Sequence, residues 1–170
     1  MMIMKRRIYT ILLAVSLPVC LFGQKIVNVA EAGSLPTLIS DEEKYSIEEL
    51  ALTGEINGTD LRLIRDMAGN NYKGELTKGC LSRLDMSGAR IVAGGENYLD
   101  CYQIYIDESA SMTDSRGFIF ASANDTIPQW LFVGCNSMAE VILPEGIKAI
   151  EQNAFAESLV TKVVIFPITT

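Results

Sequence analysis

Apolar positions in this chain recur in a strand-like rhythm, L-x-x-L-x-L. It appears at Ile47-x-x-Leu50-x-Leu52, at Leu81-x-x-Leu84-x-Met86 and at Met138-x-x-Val141-x-Leu143. In the last third the rhythm acquires a fixed period. Phe132-Val133-Gly134-Cys135 opens a unit that runs through Met138, Val141 and Leu143 to Pro144. Phe155 reopens it 23 residues later, with Val164, Phe166 and Pro167 at the matching places, and Ile127 returns as Ile150. A period in the low twenties with this rhythm is the signature of a leucine-rich solenoid. Each unit has an apolar face it cannot bury alone, so it must stack on its neighbours. The fold expected is therefore α/β: a short leucine-rich repeat right-handed coil with one parallel β-sheet face, a helical or irregular convex side and an N-terminal helical cap.

Helical spacing appears twice ahead of the regular units. Ser34 is a good N-cap, Pro36 suits a first turn, and Leu35, Leu38 and Ile39 share one face. The short helix they predict is placed to cover the first edge of the coil. Asp41-Glu42-Glu43 follows as a solvated turn. Thr59 or Asp60 then caps a second helix with Leu61, Ile64 and Met67 on one face, ended by Gly69. The strands before and after it close at Thr53-Gly54 and Ser87-Gly88. Between 93 and 126 the pattern loosens. Tyr98, Tyr102, Ile104 and Ile106 alternate as a strand does, and Arg116 to Ala121 is a second strand. Ser115-x-x-Phe118-x-Phe120 fits a further strand of the parallel ladder with Tyr98 to Ile106 as an insertion. The competing arrangement pairs the two segments as a projecting hairpin. Residues 33–92 thus form helix-containing lead-in units, 93–126 an insertion or irregular unit, and 127–170 two 23-residue repeats.

The first 23 residues read as an export signal. Lys5, Arg6 and Arg7 precede an apolar run from Ile8 to Phe22, and Gly23 marks a cleavage point. The run is short for a membrane span and broken by Pro18; a lipoprotein through Cys20 is the weaker alternative, because Val19 stands where a small residue is normal. The expected location is extracellular, cell-surface or periplasmic, with no membrane span after cleavage. Removing three of the 14 Lys and Arg residues leaves 11 against 21 Asp and Glu, a net charge of −10. Such a chain is repelled by phosphate backbones, so nucleic acid is excluded as a partner. The remaining residues suffice for one domain, 24–170. Of the cysteines left after cleavage, Cys135 occupies a repeat position and reads as a small buried hydrophobe. Cys80 and Cys101 are free to pair or not.

Taken together, Ile-Pro-Gln-Trp-Leu-Phe-Val-Gly-Cys at 127–135, Met138-x-x-Val141-Ile142-Leu143-Pro144-x-Gly146-Ile147-x-x-Ile150 and Ala154-Phe155 resemble the BspA-like leucine-rich repeat proteins of bacterial cell surfaces. The resemblance implies export, a solenoid and an adhesive or partner-binding role, with no catalytic residues to carry over. It departs at Glu157-Ser158, where the preceding unit has Gly134-Cys135.

Chemistry is sparse. The chain has no histidine, which excludes Ser-His-Asp and Cys-His catalysis and the commonest zinc ligand. Gly54-Glu55-x-x-Gly58 and Gly94-Gly95 lack the Lys-Ser/Thr of a phosphate loop and read as turns. The Asp107 to Asp114 loop lacks calcium-loop spacing. No enzyme, cofactor or metal is expected. In L-x-x-L-x-L strands the intervening residues face outward, so stacking predicts Glu49, Arg83, Glu140 and Val163 in one exposed column and Ala51, Asp85, Ile142 and Ile165 in the next. Glu49, Asp85 and Glu140 are the carboxylates a glycan hydrolase would use, but Arg83 between acids reads as a neutralised ladder. The expected function is a binding module whose exposed sheet face contacts a protein or a host or cell-surface macromolecule. A truncated or assembly-dependent fragment, self-associating through its C-terminal repeat edge, is the alternative.

Overall fold

The computed structural model describes residues 24–100 and 120–167. The export segment with Cys20, Cys101 and its pairing, Tyr102, Ile104, Ile106, Phe118 and the Asp107 to Asp114 loop lie outside the described residues. Among the described residues no helix is long and apolar enough to cross a membrane.

Eleven elements follow in chain order: β1 (Lys25–Val29), α1 (Leu35–Leu38), β2 (Glu49–Ile56), α2 (Gly58–Met67), β3 (Arg83–Ile91), β4 (Gly94–Leu99), β5 (Phe120–Ser122), β6 (Thr126–Ile127), β7 (Glu140–Ile142), β8 (Ala149–Ile150) and β9 (Lys162–Val164). Five of them form one parallel sheet in the order β1-β2-β3-β7-β9. Each strand adds to the same edge as the chain proceeds. The rungs entering the strands repeat one bond: Ser82 N donates to Glu48 O, Ala139 N to Ser82 O and Thr161 N to Ala139 O. Leu50, Leu84 and Val141 stand in register inside the sheet and are fully buried. Burying each such side chain contributes roughly 1.5–3 kcal/mol.

The sheet begins one strand earlier than the pattern predicts. β1 pairs with β2 from Lys25↔Leu50 to Val29↔Gly54, and its inward residues are Val27 and Val29. Ile26, exposed on the outer face, breaks the alternation that would have marked it. The first sheet edge is thus a strand, while α1 packs against α2. Asp60 joins the two helices: it is fully buried and accepts from Gly33 N (2.6 Å), Leu35 N (2.9 Å) and Asn57 N (2.8 Å). Asn57, rather than Thr59 or Asp60, is the N-cap of α2, and its side chain and that of Asp60 form a capping box.

β2 and β3 also run past the glycines read as their ends. Gly54 lies inside β2 at φ +90°, and a Cβ there would lie 2.1 Å from Val29 O. The residue is glycine because the β1 backbone passes across it, not because the chain turns. A bulge between Ala51 and Thr53 resets the register, so that Ile56 and Ile91 close the core at the far end.

Between β3 and β7 the chain leaves the parallel sheet. β4 and β5 pair antiparallel, Leu99 opposite Phe120, and β3 pairs directly with β7. Phe120 is therefore not a rung of the ladder, and the hairpin arrangement is the one observed here. Its described ends pack into the core: Tyr98, Leu99 and Phe120 are buried, with the Tyr98 and Phe120 rings edge to face at 5.9 Å. Tyr98 Oη donates to Gln129 O at 2.7 Å, which ties the excursion to the start of the next unit.

The two regular units stack through β6 and β8, a second parallel pair at 23-residue spacing with Ile127 opposite Ile150. Phe132 and Phe155 stack at 5.3 Å. Left-handed backbone recurs at the same spacing, at Trp130 and Asn153 and again at Gly134 and Glu157. The Glu157-Ser158 departure from Gly134-Cys135 therefore keeps the turn.

Candidate binding faces

The outer face of the sheet carries a row of alternating charge. β2, β3, β7 and β9 place Glu49, Arg83, Glu140 and Lys162 opposite one another. Arg83 lies 4.0 Å from Glu49, 3.7 Å from Glu140 and 3.3 Å from Asp85, and Lys162 Nζ lies 2.8 Å from Glu140. The neutralised ladder is present and longer than expected. Asp85 also accepts from Ser87 N (3.0 Å) and Ser87 Oγ (2.7 Å). Burial pushes its carboxyl up, but the Ser87 bonds and Arg83 outweigh this and hold it below the ordinary carboxylate range. A carboxylate held ionised in this way is unsuited to donate a proton.

The adjacent row is Ile26, Ala51, Asp85, Ile142 and Val164. It is apolar at both ends, and Asp85 interrupts it.

Two predicted members of these columns stand elsewhere. Val163 pairs with Val141, an inward position, and Ile165 lies beyond β9; Lys162 and Val164 take the expected places beside Glu140 and Ile142. The cause is one residue. The convex halves of the two units match at 23 residues, but the strands match at 22. Leu159 N donates to Cys135 O and Thr161 N to Ala139 O, so Leu159 alone spans the path that Asn136 and Ser137 span one unit earlier. Aligning on Phe132 and Phe155 carries the longer period into the strand and turns each side chain to the wrong face.

A second candidate surface lies beside the helices, where sequence reasoning looked for nothing. An open cleft of about 810 Å³ lies between α1, α2 and the 71–78 loop. The Arg62 guanidinium covers the Tyr72 ring at 4.1 Å and pairs with Glu96 at 2.7 Å. Lys44 bridges Asp41 (2.7 Å) and Asp66 (2.9 Å), and Tyr45 Oη donates to Asp66. The bond to Asp41 is the largest of the effects that raise the Lys44 ammonium above its ordinary range. Leu76 is left 76% exposed at the rim. Its only advance signal was the concentration of Tyr45, Arg62 and Tyr72 near a helix.

On the same helix, α2, Arg65 is fully buried. Its guanidinium donates to Leu131 O (2.5 Å), Val133 O (3.2 Å) and Asn70 Oδ1 (2.8 Å), and stands 3.9 Å from Cys135 Sγ. It links α2 to the 131–135 turn, a role hidden in the pattern because an arginine one turn after Leu61, at the border of the apolar face, reads as solvated. Burial pushes the Cys135 thiol up to about 11, against the opposing pull of Arg65. Cys80 is half-buried with its thiol on Tyr45 O at 3.1 Å.

No protein-family model matches the chain, and no curated protein matches it at a significant level.

Proposed function

We propose that the chain is an exported binding module, a short leucine-rich solenoid of the BspA-like kind that engages a protein or cell-surface macromolecule through the outer face of its parallel sheet. The observation that carries this reading is the pairing of two rows on that face. Glu49, Arg83, Glu140 and Lys162 neutralise one another, so the row sets no net charge against a partner. Ile26, Ala51, Ile142 and Val164 beside it offer apolar area. On such a surface apolar burial supplies affinity and the charged row supplies orientation. Support for the solenoid comes from five parallel strands added in chain order and from a second parallel pair at the repeat spacing. The regularity of the face is what a partner of matching periodicity would use.

The face also favours polypeptide over glycan. Its outward positions on β2, β3, β7 and β9 carry no aromatic ring, and sugars are held largely by C–H contacts on aromatic faces. The test is capture of the chain on immobilised plasma and extracellular-matrix proteins, with a glycan array in parallel. Replacing Ile142 and Val164 together by lysine is expected to lower protein capture about tenfold or more while leaving the melting temperature within a few degrees. Unchanged capture by the double variant overturns the reading.

A further inference from the structure

Apolar positions that are sealed in one unit reopen in the next. Val141 is fully buried, and Val163, its partner on β9, is 38% exposed. Ile127 is sealed, and Ile150, its partner on β8, is 43% exposed. Leu143 is sealed, and Ile165, 22 residues on, is 54% exposed. Phe132 is sealed, and Phe155 stacked on it is only half-buried. The sealed set has a further unit on its C-terminal side; the open set has none among the described residues.

The outer row adds a second, independent signal. Its sign alternates strand by strand through Glu49, Arg83, Glu140 and Lys162. Arg83 has a carboxylate on each side. Lys162 has Glu140 on the β7 side and, among the described residues, no carboxylate on the other. An exposed strand edge is a template for pairing, and this one is marked by charge as well as by apolar area.

We propose that the edge of β9 left unpaired among the described residues receives a parallel β-strand from a partner polypeptide, with an Asp or Glu opposite Lys162 followed by β-branched or leucine residues that cover Val163 and Ile165. This is strand addition with main-chain bonds supplying affinity and the side-chain row supplying register. It uses the edge of the sheet, which shares Lys162 with the outer face, and does not depend on that reading. The chain itself supplies a template for the occupant. Glu140-Val141-Ile142-Leu143 already pairs with β9 from its other side, with Glu140 against Lys162, Val141 against Val163 and Ile142 against Val164.

The probe is therefore a fluorescent peptide of residues 138–144, titrated with the 170-residue chain and read by anisotropy at low salt, beside the same peptide carrying E140K. Binding of the parent peptide about tenfold tighter than the lysine peptide is expected, since an opposed pair is exchanged for a repelling one. Lys162→Gln should erase that preference and Lys162→Glu reverse it. No binding, equal binding of the two peptides, or a preference indifferent to Lys162 would overturn the proposal. Light scattering across a concentration series completes the test. A dimer that Val163→Lys converts to monomer would assign the edge to a second copy of the chain and overturn the proposal equally.

Discussion

At the scale of single residues, this protein spends its polar side chains on joints. Asp60 gathers three backbone N–H groups from two segments, and Arg65 gathers carbonyls from the first regular turn. Asp125 is a third joint, with left-handed backbone at φ +53°. Its carboxylate accepts from Arg90 Nε at 2.9 Å and Lys148 Nζ at 2.7 Å, and those two bonds, Arg90 first, hold its pKa down to about 2. A depressed carboxylate stabilises the fold above its unfolded pKa of about 4 and loses that contribution as pH falls toward 2. Asp125→Asn is therefore expected to melt below the parent at pH 7, with the gap closing between pH 4 and pH 2. A gap that persists undiminished at pH 2 would mean the residue acts through turn geometry and not charge. None of these joints was legible as such. A polar residue on a helical face or in an N-D-T turn looks solvated until the segment it meets, tens of residues away, is known.

At the scale of elements, the strands beginning near 47, 81 and 138 were plain in the sequence because apolar positions inside a sheet obey the two-residue period and those faces are sealed. What was lost came from places where two periods compete. The final strand was read one residue out of phase because aromatic residues of the convex layer repeat at 23 and strand residues at 22. β1 was missed because an exposed isoleucine breaks its alternation. Between 93 and 126 the spacing fits both a ladder strand at Ser115 to Phe120 and a hairpin, and the antiparallel pairing of Leu99 with Phe120 decides for the second. The repeat's aromatic stack also makes a graded prediction. Phe132→Ala should cost about 3–5 kcal/mol, as for a sealed aromatic, and Phe155→Ala distinctly less, because part of its surface already faces water. Denaturant midpoints for the two variants measure this, and equal losses would mean that something covers Phe155 in solution.

At the scale of the whole molecule, the parallel sheet, its order and the outward rows make one continuous surface, and most of the candidate face was legible: Glu49, Ala51, Arg83, Asp85, Glu140 and Ile142 stand where alternation puts them. The convex cleft was not, since a concavity depends on how α1, α2 and a loop come together and leaves no periodic trace. The buried junction between α2 and the 131–135 turn has a consequence for how the molecule comes apart. Cys135 lies sealed there with its thiol protonated at neutral pH, while Cys80 is half-buried with a thiol that burial also raises. Only the opening of that junction exposes Cys135, so its alkylation serves as an internal clock for separation of the lead-in from the repeats. Because Arg65 binds the two sides through several carbonyls at once, they are expected to part only when the whole domain unfolds. Mass-resolved labelling along a denaturant series should then show Cys135 reacting in step with loss of the fold and well after Cys80; earlier reaction of Cys135 would reveal two independently opening halves.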